Sequence, residues 1–133
     1  MTRSIQVREY MSKPITVKQD ISLAVASRVI LKHRISGLVV VDDDNNLVGV
    51  LSELDCMQAF VTTVYNGGTP GAEIVKDVMT TEVAVNGPNE DIVTVAAEML
   101  DRRHRRRPII EDGKLIGQIT CRQLLRAIKE FGG

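Results

Sequence analysis

Tryptophan is absent from this chain of 133 residues, and two tyrosines and two phenylalanines bring the aromatic share to only 3%. A core without large rings must be built from Val, Ile, Leu, Ala and Met, and there is no aromatic platform on which nucleic-acid bases could stack. Cysteine is almost as scarce. Cys56 and Cys121 form no CxxC pair and no disulfide framework, so reduced thiols are expected. Net charge is missing as well: 17 Lys and Arg balance 17 Asp and Glu, which argues against bulk attraction to nucleic acid or an anionic membrane. No apolar run approaches the roughly 18 residues that span a bilayer. The opening Met1-Thr-Arg-Ser-Ile-Gln6 holds no signal-peptide core, so a cytoplasmic protein is expected. No GxSxG, P-loop or HExxH motif is present, and no catalytic residue is expected. The remaining composition, 44% hydrophobic and 26% charged, suits one compact domain or two very small units sharing a core.

The most informative feature is an internal repeat. Val7-Arg-Glu-Tyr-Met11-Ser returns 68 residues later as Val75-Lys-Asp-Val-Met79-Thr, and Leu47-Val-Gly49 returns at the same spacing as Leu115-Ile-Gly117. Val17 matches Val85 in that register, whereas Val39 matches Pro108 at a spacing of 69. The second copy therefore gains a residue before its second strand and loses one in the following turn. A repeat of this length is a duplicated supersecondary unit, and each copy alone is near or below the size that buries a sufficient core.

Each copy reads as β-α-β-β-α, an α/β (α+β) pattern. In the first, Ile15–Val17 is a short strand, and Leu23, Ala26, Val29 and Ile30 fall at helical spacing between Ser22 and Arg34. Leu38–Val41 and Leu47–Leu51 are strands joined by the turn formers Asp43-Asp-Asn-Asn46, and a helix follows with Leu54, Met57, Val61 and Val64 on one face. In the second, the expected order is strand Val83–Val85, helix 91–103, strand 108–111, the Asp112-Gly113 turn, strand 115–119 and helix 121–131. Asn66-Gly-Gly-Thr-Pro-Gly71 reads as the linker, dividing the chain into repeat 1 (1–65), linker (66–71) and repeat 2 (72–133).

These residues carry a family resemblance over nearly the whole chain. Val7…Met11, Val75-Lys-Asp-Val-Met79-Thr80, His33-Arg-Ile-Ser-Gly-Leu-Val-Val-Val-Asp42, Gly49-Val-Leu-Ser52-Glu-Leu-Asp55, Arg107-Pro-Ile-Ile-Glu111 and Gly117-Gln-Ile-Thr120 resemble, in order, a tandem pair of CBS domains, named after cystathionine β-synthase. The resemblance implies two copies packed with pseudo-two-fold symmetry. It also implies a regulatory rather than catalytic module that takes an adenosyl ligand (AMP, ADP, ATP, S-adenosylmethionine or NAD) in clefts between the copies, and a homodimer.

Ser52-Glu-Leu-Asp55 is the sharpest local motif. As a capping box, Ser52 and Asp55 satisfy the open N–H groups of a helix start. The resemblance adds that Asp55 accepts both ribose hydroxyls while Ser52 and nearby amides meet phosphate, chemistry that suits an acceptor-only carboxylate and a helix N-terminus. Thr120-Cys-Arg-Gln123 is the counterpart and carries Gln in place of Asp. An asymmetric pair is therefore expected, with one good nucleoside site and one weak or empty.

Asp101-Arg-Arg-His-Arg-Arg-Arg-Pro108 is the one strong charge block. Part of it suits a helix C-terminus. The resemblance places Arg105 and Arg106 where phosphate is contacted, with Arg122 a weaker addition, and guanidinium forks fit phosphate oxygens. It implies one site from Val50, Ser52, Asp55, Val83, Arg105 and Arg106, and a second from Thr120, Ile15, Thr16, Ile35 and Ser36, the aliphatic members sandwiching adenine or simply filling core. His33 and His104 have no metal-ligand spacing and are expected at exposed helix ends. Asp42-Asp-Asp44 is expected to be a solvated turn rather than a cation site.

The expected function is that of a stand-alone module that senses an adenine nucleotide, requires no cofactor, and signals to an unidentified protein partner or through its dimer. A structural dimer without ligand is the alternative, resting on apolar Met57/Val61 and Leu125/Ile128. Binding of nucleic acid through the arginine run is disfavoured by the zero net charge.

Overall fold

In the computed structural model residues 5–132 are described; Met1–Ser4, on which the expected lack of a leader partly rests, lie outside them. The chain forms two compact units. One is the central stretch Ile15–Val83, and the other joins the described residues on either side of it, 5–14 and 84–132. The fold is mixed α/β, and in both repeats a helix, a β-hairpin and a second helix follow in that order. No helix among the described residues is long and apolar enough to cross a membrane.

In the central unit, β1 (Thr16–Lys18) runs parallel to β2 (Gly37–Val41), which pairs antiparallel with β3 (Leu47–Ser52). Every residue of β2 is buried, as a continuous apolar strand between two neighbours should be. Between β1 and β2 lies α1 (Leu23–His33), whose N-cap Ser22 accepts the Val25 N–H at 3.2 Å. Leu23, Ala26 and Ile30, at helical spacing, are its buried face. The turn after β2 is built on Asp42, whose Oδ1 accepts the N–H groups of Asp44 and Asn46, both at 2.9 Å. After β3 comes α2 (Glu53–Tyr65), and then the short α3 (Val75–Val78). Val75 is fully buried in a core with Leu38, Val40 and Leu51.

The flanking unit begins with a single 3-10 turn, Val7–Glu9, and continues with α4 (Ile92–Arg102), β4 (Arg106–Glu111), β5 (Lys114–Thr120) and α5 (Cys121–Phe131). Asp91 caps α4 through the Thr94 N–H, as Ser22 caps α1. Both helices end on an arginine in the left-handed region, Arg34 at φ 53° and Arg103 at φ 56°. The β4–β5 turn places Asp112 and Gly113 at positive φ, the conformation a two-residue hairpin of this hand requires. Val7 and Tyr10 join a core with Ile92, Val95, Met99, Ile109 and Ile119. Tyr10 donates its hydroxyl to the Glu130 carboxylate, which anchors the opening segment on α5.

The expected strand Val83–Val85 does not form. Its place is taken by one parallel bridge, Asn86 to Ile109. The cause lies in the facing strand. In the central unit the Val39 N–H donates to the Ile15 carbonyl at 3.2 Å, but the equivalent residue is Pro108, which has no N–H to give. The additional residue of the second copy falls in the same stretch, since α1 and α4 with their caps already stand 69 apart.

Repeat motifs meet crosswise. A Cβ on Gly49 of β3 would lie 2.7 Å from the Met79 sulfur, and one on Gly117 of β5 would lie 2.8 Å from the Met11 sulfur. Each Val…Met segment thus covers the glycine of the other copy's third strand.

Candidate functional site

The capping box of α2 forms as its sequence indicates. Ser52 Oγ accepts the Asp55 N–H at 3.1 Å, and Asp55 Oδ2 accepts the Ser52 N–H at 3.0 Å. A third residue joins them. Thr80 donates its hydroxyl to the same carboxylate, 3.2 Å from Oδ1 and 3.3 Å from Oδ2. It is held there by a two-way backbone bridge with Val50, both N–H···O bonds at 2.9 Å. Asp55 stays half-buried at the first turn of the helix, where the helix dipole favours its negative charge. Thr80 carries no motif of its own, but it closes the repeated Val…Met-Thr segment, and its counterpart Ser12 makes the equivalent two-way bridge to Gln118, at 2.9 and 2.8 Å.

Val50, Ser52, Asp55, Ile15, Thr16, Ile35, Ser36 and Val83 all fall within the central unit. Ile15 and Ile35 pack against its core, which supports their plainer reading. Ser36 accepts the Glu53 N–H through its carbonyl at 3.0 Å and so sits at the start of α2, and Thr16 is exposed on β1.

The flanking unit holds Thr120, Arg105, Arg106 and Arg122. Gln123 Oε1 accepts the Thr120 N–H at 2.8 Å and also takes the Thr120 hydroxyl. One neutral oxygen is thereby used twice, where Asp55 offers two charged ones. Arg105 and Arg122 are exposed; Arg106 is half-buried and pairs with Thr120 across the β4–β5 ladder.

The arginine that the fold singles out is one the sequence reading passed over. Arg107 is only 2% exposed. Its Nη1 donates to Asn86 Oδ1 at 2.8 Å and to Glu98 Oε2 at 3.1 Å, and its Nε donates to His104 Nδ1 at 3.3 Å. The equivalent residue of the central unit is Leu38, fully buried. Glu98 is held below the usual carboxylate range chiefly by its hydrogen bond from Arg107, with Asn86 adding to it. His104 is half-buried rather than exposed, and burial, then the charges of Arg107 and Arg102, push its pKa down. Accepting a bond at Nδ1 requires the neutral imidazole, so geometry and electrostatics agree. Ala84, Val85, Glu98, Asp101, Arg102 and Arg107 line a cleft of about 440 Å³ in this unit.

Comparison with known proteins bears on both units. The sequence profile of the CBS domain matches residues 7–62 and 75–130, one match for each copy. The uncharacterized protein MJ1225 of Methanocaldococcus jannaschii is 28% identical over 123 residues; the match covers 92% of this chain but 42% of that relative's length. Among solved structures, CBSX2 in complex with AMP is similar with a TM-score of 0.84 at 27% identity, over 96% of this chain and 98% of its own. The CBS domain pair of protein MJ0100, in complex with 5′-methylthioadenosine and S-adenosyl-L-methionine, gives a TM-score of 0.80 at 25% identity, over 93% and 99%.

Proposed function

Since this chain belongs to the CBS domain family, as a tandem pair, we propose that it is a non-catalytic regulatory module that binds an adenine nucleotide of the AMP, ADP or ATP type. It passes its occupancy to a partner protein or through a homodimer. The observation that carries the reading is the Asp55 carboxylate, fixed by the Ser52 N–H and the Thr80 hydroxyl at the first turn of α2. A carboxylate so held offers its remaining lone pairs to a ribose diol, while the helix N-terminus favours phosphate. Val50, Ser52 and Val83 are the further contacts proposed in this unit, with Ile15, Thr16, Ile35 and Ser36 serving a weaker second ligand. In the flanking unit Arg105, Arg106 and Arg122 are the proposed phosphate contacts and Thr120 the counterpart of Ser52. The AMP complex of CBSX2 supports the nucleotide class, and the complex of the MJ0100 pair keeps S-adenosylmethionine as the next candidate.

Thermal melting with AMP, ADP, ATP, S-adenosylmethionine and NAD tests this. A ligand at 100 times its Kd stabilises by about 2.7 kcal/mol, a shift of several degrees. A graded shift across the nucleotides is the expected result; no shift with any of the five would refute it.

A second reading, a dimerisation module without ligand, rests on the exposed Leu54, Met57, Phe60, Val61 and Val64 of α2 and Leu125 and Ile128 of α5. Such faces pack readily across a two-fold axis. The readings part at Asp55. A purely structural role lets Asp55→Asn cost only a capping term of about 1 kcal/mol, whereas a ligand role also loses the nucleotide shift.

A further inference from the structure

Arg107 occupies a core position that the central unit fills with Leu38. Burying a guanidinium costs several kcal/mol before its partners offset it, and a leucine avoids that cost entirely. Stability therefore does not account for the arginine. Its surroundings suggest what does. Arg107 lines the 440 Å³ cleft together with Arg102, and its only carboxylate partner within 4 Å among the described residues is Glu98. The two members of this pair are unequally buried: the Arg107 side chain is 2% exposed and that of Glu98 45%. The cation is thus fixed, while the anion, which besides Arg107 takes only a long 3.4 Å bond from Asn86 Nδ2 among the described residues, can turn into water at little desolvation cost. The bonds to Asn86, Glu98 and His104 use Nη1 and Nε, and a guanidinium retains further donors at Nη2.

We propose that Glu98 is an internal anion on Arg107 that a phosphate monoester displaces, so that this cleft is a phosphate site selected by competition. Arg102 supplies the second positive charge that a dianion needs. A neutral ligand cannot displace a carboxylate from a guanidinium. Glu98 therefore sets a threshold of charge that a ligand must exceed, since a ligand shifts an equilibrium only by its differential affinity for the two states. The proposal rests on the nucleotide reading only in naming a nucleotide as one source of the phosphate; free phosphate is the other.

The test titrates AMP, adenosine and orthophosphate calorimetrically into wild type, Glu98→Gln and Asp101→Asn, with circular dichroism to establish that each variant is folded. Asp101 lines the same cleft and controls for the loss of one negative charge. Glu98→Gln is expected to bind AMP about tenfold more tightly than wild type, the scale of one charge-assisted hydrogen bond. Adenosine affinity should stay unchanged, and Asp101→Asn should gain less than Glu98→Gln. An AMP affinity unchanged or weakened in Glu98→Gln, or an equal gain in Asp101→Asn, overturns the proposal. If wild type binds neither AMP nor adenosine, the nucleotide reading fails by itself. Orthophosphate then decides the anion site: tightening in Glu98→Gln upholds it, and none overturns it. Arg107→Leu, which copies the central unit, is expected to lose the orthophosphate binding that Glu98→Gln strengthens; a folded Arg107→Leu that still binds orthophosphate as tightly as wild type also counts against the proposal.

Discussion

The two units solve the same structural problem with different chemistry. Both open the helix that follows their hairpin on a hydroxyl residue, cover a glycine of the hairpin's second strand with a methionine, and end the helix before the hairpin on a left-handed arginine. They differ where polar groups gather. The central unit gives Asp55 two charged oxygens and the Thr80 hydroxyl; the flanking unit gives Gln123 one neutral oxygen used twice. In return, the flanking unit replaces the buried Leu38 with Arg107 and the half-buried Ile35 with His104. Shared features thus serve packing, and the departures are where the proposed binding chemistry gathers: a half-buried carboxylate in one unit, a buried cation in the other.

Breaking the shared part should damage both units. Gly49→Ala is expected to cost about 1–3 kcal/mol of stability, the range for overpacking, because its Cβ meets the Met79 sulfur at 2.7 Å and the Thr80 carbonyl oxygen at 2.9 Å. Gly117→Ala should cost less. There the close atom at 2.8 Å is the sulfur of a flexible Met11, while the backbone oxygen of Ser12 stands 3.2 Å away. Denaturant midpoints for the two variants check the order.

Sharpening the comparison means erasing a difference. Gln123→Asp restores a carboxylate to the flanking cap, and it is expected to raise affinity for a second adenosine by about tenfold, one charge-assisted bond. Calorimetric stoichiometry in wild type and variant measures this. A smaller effect belongs to His104. Its folded pKa lies below the ordinary value of 6.5, first through burial and then through Arg107 and Arg102. Above 6.5 both folded and unfolded chains hold the neutral ring, so no stability difference arises. As pH falls below 6.5 the unfolded chain takes up the proton first, and stability declines until the folded pKa is passed. His104→Gln should remove this decline, as melting temperatures between pH 7.5 and 5 would show.

Much of this was legible in the residues. Periodicity and capping signals located all four long helices, because apolar spacing and an N-cap are local properties of the chain. The repeat gave the copies in series, whereas the units exchange their opening segments. Similarity reports the order of motifs along a chain and not which copy each motif covers. The strand expected at Val83–Val85 was lost to Pro108, a residue on another strand, so no reading of that segment alone shows it. Asp55 stood out through its cap, but Thr80 reaches it from 25 residues away. Arg107 was hidden among five arginines of one type. Only its register with Leu38, 69 residues earlier, sets it apart, and burial does not follow from residue identity.

The most direct test of the account is calorimetric titration of AMP into wild type and Asp55→Ala, each shown to be folded. The wild type should take up AMP, and Asp55→Ala should lose about 100-fold or more in affinity, the worth of two hydrogen bonds to a charged group, while melting at nearly the wild-type temperature. Undiminished AMP binding by Asp55→Ala would contradict the assignment of the ribose to this carboxylate.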